Sequence, residues 1–123
     1  MARILVVEDD PNQCLLYKEA LASEGYDVDT ARDGREALNA VEASRPDLVV
    51  MDISMPGMDG IEAMSRMLSR DHKLPVILNS AYATYKDNFR AWSADAYVVK
   101  SSDITELKDA IKRVLASRQD AAT

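Results

Sequence analysis

Apolar residues are distributed along this chain in two alternating rhythms. Short, nearly unbroken runs (ILVV at 4–7, DLVVM at 47–51, PVILN at 75–79 and AYVVK at 96–100) are separated by segments in which apolar side chains recur every three or four residues. The first rhythm predicts strands covered on both faces, the second amphipathic helices. A further run, DVDTA at 27–31, alternates polar with apolar and predicts a strand at a sheet edge. Within the helical segments, Leu16, Tyr17, Ala20 and Leu21 share one stripe. So do Ile61, Met64 and Leu68, and again Ile104, Leu107, Ile111 and Leu115; each stripe is expected to face the sheet. Five strand and helix pairs in series predict an α/β fold around a parallel sheet.

The punctuation agrees. Asp10 before Pro11 is a helix start, and Gly25 stands where a left-handed residue would close the first helix. Asp103 with Glu106 has the spacing of a capping box opening the last helix. At 123 residues and 47% hydrophobic side chains, the chain suits one core and is short for two. One domain is expected over 1–118. SRQDAAT, 117–123, reads as a frayed end, with 119–123 a disordered tail or the start of a linker.

Charge narrows the field. With 21 acidic against 15 basic residues the formal charge is −6, and no basic cluster interrupts it. A nucleic-acid backbone or an anionic membrane would be repelled, so neither is an expected direct partner. One cysteine, Cys14, and one histidine, His72, supply neither a disulfide nor a zinc site. No apolar run approaches the ~18 residues of a membrane span, and a soluble protein of the reducing cytoplasm is expected.

The residues that follow the strands carry the chemistry. Parallel strands all end on one edge, where ligands of open α/β sheets bind. After ILVV come Glu8, Asp9 and Asp10; after DLVVM comes Asp52; after PVILN comes Ser80; AYVV is followed by Lys100. Singly, each reads as a turn or cap residue. Jointly they do not, because two carboxylates ~4 Å apart repel by roughly 4 kcal/mol at an effective dielectric of 20, and one ammonium cannot offset three acids. An oxygen-only ligand set favours a hard divalent ion such as Mg²⁺, which also accepts phosphate oxygens.

In these positions, and in the MPGMDG and YVVK stretches, the chain resembles the receiver domain of two-component response regulators over residues 3 to 116. The resemblance implies a doubly wound (βα)5, flavodoxin-like sandwich: a five-stranded parallel sheet of order 2-1-3-4-5 with helices on both faces. It implies that Asp52 is the phosphoacceptor, that Asp9 binds Mg²⁺ or Mn²⁺ directly with Glu8 acting through water, and that the Ser54 backbone carbonyl completes the protein's share of the metal shell. Ser80 and Lys100 would each meet a phosphoryl oxygen, and Ser80 with Tyr97 would form the switch. Ser54 and Tyr82 would set how fast water removes the phosphate, with bulky Tyr82 slowing it. The implied donor is a sensor histidine kinase or phosphotransfer protein, and the implied reader is a downstream protein or effector domain; phosphorylation-dependent homodimerisation stays open. The chain would be no enzyme beyond its own phosphorylation and dephosphorylation. Tyr85, Phe89 and Trp92, at i, i+4 and i+7 of an expected fourth helix, are read as packing with a share in a partner surface formed by that helix, the fifth strand and the last helix.

Departures from the family pattern matter. Ser101 follows Lys100 where receivers usually have proline, so a trans peptide is expected there. Asn79 takes a usually apolar strand position and has no explanation in the sequence. Two alternatives stand beside this reading: a receiver-like module that is never phosphorylated, whose usual sign is loss of an acid or the lysine, and a metal-dependent phosphohydrolase. The haloacid dehalogenase class needs an Asp two residues past the nucleophile, and this chain has Ser54 there. A flavin site would need a phosphate loop in place of the acidic EDDPNQ. His72, in a polar loop, reads as solvated.

Overall fold

The computed structural model describes residues 2–55, 57–82 and 92–122. Its elements run β1 Arg3–Val7, α1 Pro11–Ser23, β2 Asp27–Ala31, α2 Gly34–Ala43, β3 Leu48–Met51, α3 Gly60–Arg70, β4 Val76–Ser80, β5 Ala96–Val99 and α4 Thr105–Ala122. The five strands form one parallel sheet of order β2-β1-β3-β4-β5. That is the flavodoxin-like, doubly wound topology expected, with four helices among the described residues. The fourth helix expected between β4 and β5 falls, with Tyr85 and Phe89, outside the described residues, while Trp92, expected on that helix, stands in a turn before β5. Helix α4 continues past residue 118, into the stretch expected to be a tail.

The apolar runs are unbroken because the sheet is covered on both faces. Leu5 and Val7 of β1 face a core shared with Ala37 of α2 and Ala63, Met64 and Met67 of α3. Ile4 and Val6 face the opposite core, with Tyr17 and Leu21 of α1 and Leu107, Ile111 and Val114 of α4. Edge strand β2 exposes Asp27, Asp29 and Thr30, as its alternation predicted. The other edge, β5, is buried at Ala96, Tyr97 and Val98, so an apolar run does not by itself mark a central strand.

Helix boundaries follow local chemistry. Asp10 caps α1 through the amides of Asn12 and Gln13, with Pro11 in the first turn. Gly25, at φ 97°, closes α1: its N–H bonds to Ala22 O and that of Tyr26 to Leu21 O. Two expectations are corrected. Leu16 is 47% exposed beside Leu15, because the sheet takes the Tyr17–Leu21 row of α1. The capping box at Asp103 does not close, since Asp103 N–H donates to Ser101 Oγ, leaving no reach-back for Glu106; Asp103 Oδ1 instead accepts from Thr105.

Candidate functional site

The order reversal about β1 opens the sheet's carboxyl edge between β1 and β3. Glu8, Asp52 and Lys100 each stand one residue beyond a strand, after β1, β3 and β5. Each continues the alternation of residues facing the α1 and α4 core: Ile4 and Val6, Leu48 and Val50, Ala96 and Val98. Same edge and same phase are why three residues so far apart in sequence meet. Ser80 ends β4 in the other phase, with Val76 and Leu78, and Tyr97 shares that phase from β5.

The geometry is close. Carboxylate oxygens of Glu8, Asp9 and Asp52 all lie within 4.8 Å of one another. Lys100 Nζ donates to Glu8 Oε1 at 2.5 Å and stands 3.4 Å from Asp52 Oδ2. Glu8 and Asp52 are 2% and 5% exposed, while Asp9 is open to solvent. Opposite ligands of a Mg²⁺ ion stand roughly 4.2 Å apart, so the set needs little closure to share one. Its all-oxygen chemistry, and three carboxylates against one ammonium, fit a hard divalent cation.

Burial sets the electrostatics. Desolvation, reinforced by the charge of Glu8, pushes the Asp52 carboxyl up from 3.8 to about 6, against the pull of Lys100 and the Ser54 amide. Burial alone would lower Lys100, but its hydrogen bond to Glu8 and the charges of Asp52 and Glu8 win and raise it above 10.5. The nucleophile candidate is thus held in an environment that disfavours its negative charge.

Other acids are structural. Asp10, Asp33 and Asp59 bind helix amides at 2.8–3.4 Å, whereas none of Glu8, Asp9 and Asp52 caps a helix. The Ser54 N–H donates to Asp52 Oδ1 at 3.3 Å, so the loop after β3 turns back onto the carboxylate. Fully buried Ser80 accepts the Tyr82 N–H on its Oγ at 3.1 Å, and its carbonyl takes the Lys100 N–H at 2.7 Å. Tyr97, 5% exposed, donates its hydroxyl to the Tyr82 carbonyl, while the Tyr82 side chain is 56% exposed. The Lys100–Ser101 peptide is trans, as expected. Trp92 lies in a turn, half-buried against the α2 and α3 core, and His72 is exposed.

Three contributors were not legible beforehand. The Glu8–Lys100 pair spans 92 positions and emerges only from the topology. A Cβ on Gly60 would fall 2.0 Å from the Asp52 carbonyl oxygen. Asn79, 3% exposed, stands on the α1 side of β4; its one signal was a polar residue inside an apolar run.

Residues 4–112 match the family model of the response regulator receiver domain. The chain belongs to that family. It is 40% identical over 115 residues to the regulatory protein AtoC of Escherichia coli, covering 92% of this chain and 25% of AtoC. It is 37% identical to sporulation initiation phosphotransferase F of Bacillus subtilis, covering 92% of this chain and 93% of that protein. The chain spans between a quarter and about half the length of several curated relatives it matches. The response regulator TrrA of Thermotoga maritima, crystallised with Mg²⁺ and a beryllofluoride, superimposes with a TM-score of 0.88 at 44% identity, covering 93% of this chain and 99% of TrrA. TrrA was also crystallised with the histidine kinase ThkA; that copy gives a TM-score of 0.86 at 44% identity, over 94% of this chain and 99% of TrrA.

Proposed function

We propose that this receiver domain accepts a phosphoryl group on Asp52 from a partner histidine kinase or phosphotransfer protein, and that the modification resets the surface around β5. The observation that carries the reading is the convergence of Asp9, Glu8 and Lys100 on one buried carboxylate at the end of β3. An Asp52 oxygen attacks phosphorus as the donor's P–N bond breaks and its imidazole takes up a proton. Such transfer needs alignment and charge neutralisation more than covalent help from the protein. In this reading Lys100 leaves Glu8 for one phosphoryl oxygen, and Ser80 offers its O–H to another. Glu8, Asp9, Asp52 and the Ser54 carbonyl would hold Mg²⁺ or Mn²⁺, which supplies neutralising charge to the phosphoryl oxygens when bound.

The kinase partner is supported by the ThkA complex of TrrA, and the metal by the Mg²⁺–beryllofluoride form. Ser80 and Tyr97 act as the switch, Ser54 and Tyr82 set the phosphate's lifetime, and an effector or downstream protein reads the result; homodimerisation on phosphorylation is a form that reading can take. The proposed unit is the receiver domain over 1–118, in the cytoplasm, and no helix of the described residues is long and apolar enough to cross a membrane.

The test is incubation with acetyl phosphate with and without Mg²⁺, read by intact mass, for wild type and Asp52→Asn. A Mg²⁺-dependent gain of one phosphoryl mass in wild type alone is expected. Equal labelling of both proteins, or labelling of neither, overturns the assignment.

A further inference from the structure

The loop that leads from Asp52 to α3 contains the MPGMDG stretch, and its Met58 is half-buried against the α2 and α3 core. The Cβ, Cγ and Sδ of Met58 each stand 3.1 Å from the place where a side chain on Gly34 would begin. Met58 thus lies along the bare backbone of Gly34, the buried first residue of α2. The φ of Gly34 is not positive, and glycine is the poorest helix former after proline. Its place in a first helical turn is therefore explained by room for Met58 and not by backbone freedom.

This contact joins two connections that each hold part of the acid cluster. In the turn from β2 to α2, Ala31 O accepts the Glu8 N–H at 3.0 Å, and Asp33 Oδ1 caps α2 through the Glu36 amide at 2.8 Å. That turn is fixed to the end of β1. In the loop from β3 to α3, Ser54 N–H donates to Asp52 Oδ1 at 3.3 Å and Gly60 N–H to Ile53 O at 2.9 Å, which ties both ends of the loop to Asp52 and its neighbour. Met58 on Gly34 is the brace between the two. We infer that Met58 is a positioning residue: seated on Gly34, it holds the loop carrying Asp52 and the Ser54 carbonyl at a set distance from Glu8 and Asp9. It touches no reacting atom and acts through Ser54 and Asp52. The inference rests on the phosphoryl-accepting, cation-binding reading of that site.

The experiment compares wild type, Met58→Ala, Met58→Leu, Gly34→Ala and the double variant Gly34→Ala with Met58→Ala. Mg²⁺ alone is titrated and followed through the Glu8 and Asp9 amide signals in ¹H–¹⁵N spectra, phosphorylation by acetyl phosphate through intact mass, and folded fraction by circular dichroism. In Met58→Ala the Mg²⁺ Kd is expected to rise roughly threefold to tenfold, at or below the low end of the 10- to 100-fold cost of removing a group that orients a metal ligand. Its phosphorylation should slow by roughly fivefold, less than the ~10² of a full ångström's misplacement. Met58→Leu, close in volume, should stay within about twofold of wild type on both measures. Gly34→Ala should weaken Mg²⁺ binding while remaining folded, and should do so less in the Met58→Ala background, where two of the three crowding atoms are gone.

A folded Met58→Ala whose Mg²⁺ Kd and rate both match wild type overturns the inference. So does a Met58→Leu as impaired as Met58→Ala, or a Gly34→Ala effect as large without the Met58 side chain as with it. A wild type that takes no phosphoryl group sinks the functional proposal itself, whereas a labelled wild type with unaffected variants sinks only the brace. If Met58→Ala fails to fold, Gly34→Ala decides through its Mg²⁺ Kd: an unchanged value overturns the inference and a raised one upholds it.

Discussion

The Cβ that Gly60 lacks would stand 2.0 Å from the carbonyl oxygen of Asp52, and 2.8 Å from both Asp52 C and Ile53 Cα. Helix α3 therefore starts in contact with the backbone of the proposed phosphoacceptor, clamped further by the Gly60 N–H bond to Ile53 O at 2.9 Å. No flexible side chain is available to yield, so Gly60→Ala must displace either α3 or Asp52. A loss of about 1–3 kcal/mol is expected in urea unfolding, together with slower phosphorylation by acetyl phosphate. Gly57 is the control: at φ 77° with nothing within 4 Å of its missing Cβ, Gly57→Ala should lose about 1–2 kcal/mol for its left-handed backbone and keep the wild-type rate. Equal rates in both variants would show that this contact does not hold Asp52.

The raised Asp52 acidity makes a signed stability prediction. Folding lifts its carboxyl from 3.8 to about 6, so between those values the native state keeps a proton that the unfolded chain has lost. Stability attributable to Asp52 thus falls as pH rises through that window, and the deficit, roughly 3 kcal/mol at most, is complete above about 6. Asp52→Asn abolishes it. With EDTA present, the variant should be more stable than wild type by about 1–3 kcal/mol at pH 7.5, with a smaller difference at pH 5. A variant less stable than wild type at pH 7.5 would contradict this electrostatic picture.

Lys100 carries the opposite sign. Burial alone would lower its pKa, yet the Glu8 hydrogen bond and the two carboxylate charges raise it above 10.5, so its stabilising effect is present below 10.5 and disappears as pH climbs through the higher native value. Replacing it with methionine leaves Glu8 and Asp52 buried without a counter-charge, a loss of about 3–5 kcal/mol. Saturating Mg²⁺, at about a hundred times its Kd, should return roughly 2.7 kcal/mol. The shift in Tm on adding Mg²⁺ is expected to be larger in Lys100→Met than in wild type, where the ammonium already neutralises part of the site. A smaller shift would mean that the lysine and the cation do not share these acids.

Local patterns carried the fold class because four of the five strands are short, apolar and buried on both faces, and because DVDTA announces its exposed edge. Strand order is a different kind of fact: it came from the family resemblance, since no residue in β4 or β5 states its neighbour. Asp9, Asp52 and Lys100 were legible as strand-end residues on one rim. Whether an acid caps a helix or faces the site was legible only for Asp10, whose proline neighbour marks a helix start. The Leu16 error has a simple cause. Leu16 with Ala20, and Tyr17 with Leu21, are adjacent rows about 100° apart around α1, and the sheet takes one of them.

Tyr82 and Tyr97 separate a side-chain effect from a backbone one. The Tyr82 backbone links the proposed switch residues: its N–H donates to Ser80 Oγ at 3.1 Å and its carbonyl accepts the Tyr97 hydroxyl. Its ring is 56% exposed and contributes little to the core. Tyr82→Ala should therefore change stability by no more than about 0.5 kcal/mol, yet shorten the lifetime of the phosphorylated form severalfold by opening the approach of water to the phosphorus. Tyr97→Phe keeps the buried ring and removes the donor, leaving a carbonyl without that partner. A stability loss of about 0.5–1.5 kcal/mol is expected, with the phosphate lifetime nearly unchanged. Decay of intact-mass signal after donor removal gives both lifetimes, and urea unfolding gives both stabilities. If the lifetime shortens in Tyr97→Phe and not in Tyr82→Ala, the backbone of residue 82 and not its ring governs access, and the assignment of Tyr82 as a steric screen is wrong.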